Sequence, residues 1–167
     1  MTADELEQAC LARLVHVVPA AAHDAAVAGV ALATLAAADR VALAPSLGKL
    51  LARLATVEPF APALPAVERD PREPVLPPCL VHGAFVPANI LVRRAGRWRL
   101  AAVIDWRHAR SGSPLEDLGS LLRELDTPAF RDGLARGYRA GRGVLPASWP
   151  AAARIADRRV QRQRSLC

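Results

Sequence analysis

The chain has 167 residues, of which 52% are hydrophobic, and its formal net charge at pH 7 is +6. This length is sufficient for one domain with a hydrophobic core and insufficient for two. The sequence shows no signal peptide or membrane-spanning run, and its three cysteines are too far apart for a disulfide framework or a metal site (Cys10, Cys79 and Cys167). We therefore expect a cytoplasmic protein with no membrane partner.

Residues 1–57 are predicted to form helices. Apolar residues first recur at helical spacing as far as Pro19, at Leu6, Cys10, Leu14, Val17 and Val18. An alanine-rich helix is predicted next, from about Asp24 to Ala38. A third helix is predicted to begin at Pro45-Ser46, because leucines then follow at positions i, i+3, i+4 and i+7, namely Leu47, Leu50, Leu51 and Leu54.

Residues 58–78 are predicted to be an irregular loop, because this stretch contains seven prolines. Residues 79–110 are predicted to form a small β-cluster with three short strands, namely Cys79–His82, Ile90–Arg93 and Arg99–Ile104. Ala95-Gly96 is typical of a turn and predicts a hairpin between the second and third strands.

Residues 111–153 are predicted to form further helices. One apolar face would contain Leu115, Leu118, Leu121 and Leu122, and a second would contain Phe130, Leu134 and Tyr138. Residues 154–167 form a basic tail in which five arginines accompany one acid, Asp157. Such a tail can bind nucleic acid, but no aromatic residues interleave with its arginines, and we favour a solvated or frayed end. The order of elements predicts an α+β fold that is mostly helical.

Three polar residues fall at the ends of the predicted strands, namely His82, Asn89 and Asp105. An amide oxygen and a carboxylate are ligands that suit Mg²⁺ with bound phosphate. Polar residues near turns are also common as caps and turn residues, so these residue types alone leave both interpretations open.

The order and spacing of these residues resemble the catalytic region of the aminoglycoside phosphotransferase and choline kinase-like family, distant relatives of the protein kinases. That family has His-Gly-Asp, four residues, an Asn, and later a strand ending in Ile-Asp-Trp or Ile-Asp-Phe; this sequence has "VHGAFVPANILV" and "AAVIDW". The match continues through "ARSGSPLEDLGSLLR" and "GYRAGRGVLPASW" and covers about Pro45 to Ala156. The resemblance implies the C-terminal lobe of a protein-kinase-like fold, with the catalytic and metal loops on the β-cluster.

The resemblance also implies roles for individual residues. Asn89 and Asp105 would hold Mg²⁺ on the phosphates of ATP, whose γ-phosphate would pass to a hydroxyl of a small molecule. His82 would brace the loop backbone, and Asp117 would anchor the catalytic loop from below. A first-turn acid favoured by the helix dipole is the alternative interpretation of Asp117.

The sequence departs from the family pattern in three places. Ala84 occupies the position of the acid that takes or orients the proton of the acceptor hydroxyl, and general-base catalysis contributes roughly 10²–10⁴ in rate. No glycine-rich loop or strand lysine precedes Pro78, and the single lysine, Lys49, falls in a predicted helix, so we expect the nucleotide-binding N-lobe to be absent. Arg107 stands where relatives often carry an acid.

These departures favour a truncated or degenerate small-molecule phosphotransferase with weak or no activity and weak binding of ATP and Mg²⁺. Arginines offset the acids that could receive a cationic acceptor, namely Glu116, Glu124, Asp126 and Asp132, which argues against a polycationic substrate. The alternative is a non-catalytic, pseudoenzyme-like module that binds a protein partner at the face where an N-lobe would dock. Nucleic-acid binding through the arginine-rich tail ranks last.

Overall fold

A computed structural model of the protein describes residues 29–57 and 70–165. The strands in these residues are β1 (Val30–Ala31), β2 (Cys79–Val81), β3 (Ile90–Ala95), β4 (Arg97–Val103) and β5 (Arg110–Gly112). The α-helices are α1 (Ala37–Leu54), α2 (Leu115–Leu125), α3 (Pro128–Ala140) and α4 (Trp149–Arg164). Short 3-10 turns span Leu32–Thr34, Pro87–Asn89 and Trp106–His108. The predicted α+β, mostly helical architecture is confirmed.

The strands form two small antiparallel sheets in the described residues. One contains β1, β3 and β4 in that order, and the other pairs β2 with β5. The hairpin between β3 and β4 turns at Ala95-Gly96 as predicted, and Gly96 adopts a positive φ of 70° that favours glycine. β4 lies at an edge of its sheet and exposes Arg97 and Arg99, and charged side chains of this kind oppose pairing with other strands.

The helices pack in two pairs, α1 against α3 and α2 against α4. The first pair approaches backbone to backbone, because a Cβ added at Gly48 would lie 2.0 Å from the carbonyl oxygen of Leu134, and one added at Gly137 would lie 1.9 Å from that of Pro45. The apolar faces predicted for α1, α2 and α3 are buried, at Leu47, Leu50, Leu51, Leu54, Leu115, Leu118, Leu121, Leu122, Phe130, Leu134 and Tyr138.

The prediction of a helix from Asp24 to Ala38 is wrong for the residues that the structure describes. Val30 and Ala31 form the edge strand β1, which pairs with Val92 and Leu91 of β3, and a 3-10 turn follows. The free edge of β3 gives this alanine-rich segment backbone partners, so tertiary pairing overrides its helical propensity. Residues 24–28 and the first predicted helix lie outside the described residues.

The predicted start of the third helix at Pro45 is also wrong, because α1 begins at Ala37. Asp39 lies in its first turn, where a negative charge interacts favourably with the positive end of the helix dipole. Pro45 lies inside the helix, where a proline removes one backbone hydrogen bond. The helix continues past it because leucines on both sides of the proline, Leu43 and Leu47, are buried in the same core.

The prediction of a solvated or frayed basic tail is wrong for its described residues. Helix α4 crosses the predicted boundary at residue 154 and ends at Arg164. Its buried face includes two polar residues, Asp157 and Gln163, beside Ala156 and Val160. The apolar periodicity is therefore weak in the sequence although one face of the helix is packed against α2.

Candidate active site

The predicted loop residues follow strand β2, and their backbone is held by one buried carboxylate. The backbone N–H groups of His82 and Gly83 donate to Asp117 Oδ2 and Oδ1, at 2.7 and 3.0 Å. Asp117 lies in the first turn of α2 and is 3% exposed. Burial raises the pKa of Asp117 to about 6, although the two N–H donors act to lower it. The carboxylate thus satisfies two backbone donors that would otherwise be buried without partners.

Gly83 makes the close turn after His82 possible. Its φ of 79° lies in the left-handed region, and an added Cβ would lie 2.3 Å from the carbonyl oxygen of His108. Its own carbonyl oxygen accepts a hydrogen bond from Arg164 Nη2, at the end of α4. The loop is therefore held between the first turn of α2, the segment after β4 and the C-terminal helix.

The buried imidazole of His82 connects the loop after β2 with the segment after β4. The backbone N–H of Ala84 donates to His82 Nδ1 at 3.1 Å, so Nε2 carries the proton and donates to the carbonyl oxygen of Ile104 at 2.9 Å. The ring packs edge-on against Trp106, with ring centroids 4.5 Å apart. Burial lowers the pKa of His82 to about 4, so the ring is neutral at physiological pH.

We expect His82 to stay neutral in solution until the pH falls to about 4, as the Nε2–H tautomer. Protonation would place a second N–H at Nδ1, against the N–H donor of Ala84. Long-range ¹H–¹⁵N correlation spectra across a pH series measure this directly, with His108 as the partly exposed comparison. Titration of His82 near its ordinary value of 6.5 would contradict the expectation.

The shift also has a consequence for stability. As the pH falls, His82 takes up a proton in the unfolded chain at a higher pH than in the folded protein. The stability that comes from this difference is complete above about pH 6.5 and is lost as the pH falls through about 4. The raised pKa of Asp117 acts in the opposite direction, lowering stability as the pH rises from about 4 to about 6. Because the two contributions offset each other in bulk unfolding, site-resolved spectra are the better test.

Asn89 and Asp105 lie at the ends of β3 and β4 that face the loop. Asn89 Nδ2 donates to the carbonyl oxygen of Ala84 at 3.0 Å, and the N–H of Ile104 donates to the carbonyl oxygen of Asn89 at 2.9 Å. Asp105 follows directly and has a left-handed backbone, with φ 66° and ψ 58°. One network of bonds therefore connects Asp117, His82, Ala84, Asn89 and the residue before Asp105.

The residue types of this pair fit a magnesium ion on a phosphate. Mg²⁺ in such sites is held by one or two side-chain oxygens while phosphate oxygens and waters complete its shell. Because Asn89 uses its Nδ2 on Ala84, its Oδ1 is the atom that can face a cation. Asp105 differs from a free ligand, since Arg107 contacts both of its oxygens. The described residues contain no group of three or more His, Cys, Asp or Glu side chains that could hold a metal alone.

A network of four charged side chains lies beside the loop, and no motif in the sequence indicated it. Glu116 accepts from Arg110 Nη2 at 2.6 Å and from Arg159 Nη2 at 2.9 Å, and Arg159 also binds Glu73 through Nε at 3.0 Å. Arg110, Glu116 and Glu73 are buried, and the Arg159 side chain is 12% exposed. Arg110 additionally contacts the carbonyl oxygen of His108.

The partners in this charged network are as many as 86 residues apart in the sequence, so no local spacing could have indicated them. Arg164 and Gly83, which also contact each other, are likewise far apart in the sequence. The contact of Arg107 with Asp105 could have been predicted from the sequence, since an Arg two residues after an acid at a tight turn can fold back on it.

The cysteine in the described residues, Cys79, is buried, and burial raises the pKa of its thiol to about 12.

The fold is similar to several solved structures. The apoenzyme of macrolide 2'-phosphotransferase MphH from Brachybacterium faecium superposes with a TM-score of 0.65 at 21% identity, covering 92% of this chain and 71% of that one. A macrolide 2'-phosphotransferase type I gives a TM-score of 0.71 at 17% identity, covering 95% and 72%. A choline/ethanolamine kinase family protein from Mesorhizobium loti gives 0.67 at 18% identity, covering 99% and 70%. These similarities define a kinase-like phosphotransferase fold.

A model of the phosphotransferase enzyme family matches residues 8–153, and the chain belongs to that family. The family resemblance predicted from the loop motifs is therefore confirmed, and the match begins well before Pro45. A search of curated proteins finds no match. In the part of the chain that the structure describes, no helix combines the length and the apolar character needed to cross a membrane.

Proposed function

We propose that this chain is a small-molecule phosphotransferase domain that keeps the loop scaffold of its family and has lost the proton acceptor. Transfer of the ATP γ-phosphate to a hydroxyl would therefore be weak or absent. The main support for this proposal is that the loop backbone is held as a catalytic loop would need, while its side chain at position 84 cannot act as a base. Asp117 and His82 hold its backbone at 2.7–3.1 Å, while the next residue is Ala84, whose methyl group cannot accept a proton.

In this proposal, Asn89 and Asp105 hold Mg²⁺ on the nucleotide, and His82 and Asp117 position the loop without reacting. The metal would supply charge stabilisation at the transferred phosphoryl group. Positioning and electrostatics dominate such transfers, so loss of one base lowers the rate without removing every contribution. The sequence contains a single lysine, Lys49, which is exposed on α1, so we propose that this polypeptide holds nucleotide weakly.

The acceptor is proposed to be a small hydroxyl compound that is not a polycation. A pocket of about 200 Å³ between α1 and the turn from α2 to α3 contains Arg40, Glu124 and Asp126. Asp126 is already bound by Arg131 at 2.6 Å and by Arg154 Nε at 2.9 Å. Arg40 Nε is buried there without a hydrogen-bond partner. Two arginines thus already neutralise Asp126, one of the two acids that a cationic acceptor would meet in this pocket.

The test is to restore the acid with Ala84→Asp. We expect ADP formation from MgATP, with a panel of neutral and anionic alcohols, to rise by about 10²- to 10⁴-fold over the unmodified chain. Ala84→Asn is the matched control, because it has nearly the same shape and cannot act as the base. Calorimetry with MgADP on all three proteins separates binding from transfer.

Rapid turnover by the unmodified chain would contradict the lost-base proposal. So would an Ala84→Asp protein that binds MgADP well and transfers no faster than Ala84→Asn.

A second candidate function is a non-catalytic module that binds a protein partner. The combination of Ala84 with an Asp105 already engaged by Arg107 favours it, since both changes oppose catalysis. Size-exclusion chromatography with light scattering tests it. A monomer that gains full turnover from Ala84→Asp alone would count against this second candidate.

A further inference from the structure

The carboxylate of Asp105 is engaged by a cation from its own chain. Arg107 Nε lies 2.6 Å from Asp105 Oδ1, and Nη2 donates to Oδ2 at 3.2 Å. The left-handed backbone at Asp105 begins a 3-10 turn, which brings the side chain two residues later back over the carboxylate. Both carboxylate oxygens are therefore occupied by a guanidinium.

We propose that Arg107 is a tethered cation that competes with a divalent metal ion for Asp105 and so sets the metal affinity of this site. The inference rests on the proposed function, which assigns Asp105 and Asn89 to the metal. It adds a residue, Arg107, whose positive charge opposes metal binding at Asp105.

The surroundings strengthen the competition. Arg164 contacts the carbonyl oxygen of Gly83, and Arg110 contacts that of His108, so two further guanidinium groups lie beside the loop. Asn89 is neutral, and Asp117 is buried and used by the loop backbone. A divalent ion would therefore meet one carboxylate that is already paired, in positive surroundings.

The exposure of the pair makes the competition reversible. The Arg107 side chain is 65% exposed and that of Asp105 is 25% exposed. Exposed ion pairs are weak, so a bound metal can displace the guanidinium. Arg107 is then expected to weaken metal binding by a measurable factor without abolishing it.

The experiment measures Mn²⁺ binding to the protein in the presence of ADP, by the electron paramagnetic resonance signal of free Mn²⁺ relative to the same ADP solution without protein. We expect Arg107→Ala to bind Mn²⁺ about tenfold more tightly than the unmodified chain. The substitution removes a guanidinium whose Nε lies 2.6 Å from Asp105 Oδ1, the proposed metal ligand. Arg97→Ala is the matched control, because Arg97 is an exposed arginine at the hairpin turn and its loss changes the net charge equally. We expect that control to shift affinity by less than about twofold.

The double variant Arg107→Ala/Asp105→Asn should lose the tighter Mn²⁺ binding that Arg107→Ala is expected to show, because the carboxylate is then absent. Equal Mn²⁺ affinity of the unmodified chain and Arg107→Ala, or equal gains in Arg107→Ala and Arg97→Ala, would overturn the tethered-cation inference and leave the proposed metal pair intact. No Mn²⁺ binding by any of the proteins would overturn both, because release of Asp105 would then have created no site.

Discussion

Asp117→Ala is expected to lower the free energy of unfolding by about 3 kcal/mol, because two buried backbone N–H groups lose their acceptor. Each unsatisfied buried donor costs about 1–3 kcal/mol, and removal of a buried carboxylate offsets part of that loss. Both donors belong to the loop, at His82 and Gly83, and the two bonds measure 2.7 and 3.0 Å. Urea denaturation followed by circular dichroism measures the change.

Two variants give this prediction its controls. Asp117→Asn keeps one acceptor oxygen and should lose less than Asp117→Ala. Asp132→Ala removes an exposed acid of α3 and should change stability by less than about 0.5 kcal/mol. A loss from Asp117→Ala no larger than that of Asp132→Ala would show that this carboxylate does not hold the loop.

Glu116→Gln is expected to lower the free energy of unfolding by about 3–5 kcal/mol, the cost of breaking a buried ion pair on one side. Glu116 sits between Arg110 and Arg159, and its side chain is 5% exposed. A glutamine would turn an N–H donor toward one arginine and would leave the buried Arg110 without its carboxylate partner, while Arg159 would keep Glu73. Chemical denaturation at neutral pH checks the magnitude.

Asp126→Asn provides the comparison for this ion-pair network. Asp126 also binds two arginines, Arg131 and Arg154, but these side chains are about one third exposed. Exposed pairs contribute about 0–1 kcal/mol, so this variant should lose at most that amount. If both substitutions cost the same, burial is not what makes the Glu116 network strong.

The structure and the sequence agree best where local pattern and burial coincide. The leucines of α2 recur with helical spacing and are all buried, so their period alone located the helix. Short apolar runs and the Ala95-Gly96 turn predicted β3 and β4. β3 continues to Ala95, two residues past its predicted end, and β4 is shifted to Arg97–Val103 from the predicted Arg99–Ile104. The spacing of His82, Asn89 and Asp105 indicated the family, while their catalytic and metal roles remain predictions.

The failures share one cause, which is dependence on a distant partner. β1 has two residues and β5 has three, and each exists because another strand supplies its hydrogen bonds. Helix α4 has a buried face that includes Asp157, which Ser120 and Arg123 contact from α2. No window of the sequence contains both sides of such a contact.

The helical faces, the hairpin and the loop motif with alanine at position 84 could be predicted from the amino-acid sequence, because each depends on residues that are close together in the chain. Three features became visible only in the folded protein. Asp117 binds two loop N–H groups, Arg159 and Arg164 of the basic end turn inward, and α1 continues through Pro45. These outcomes depend on which buried donors and charges find partners across the fold. Local propensity contains no information about those partners.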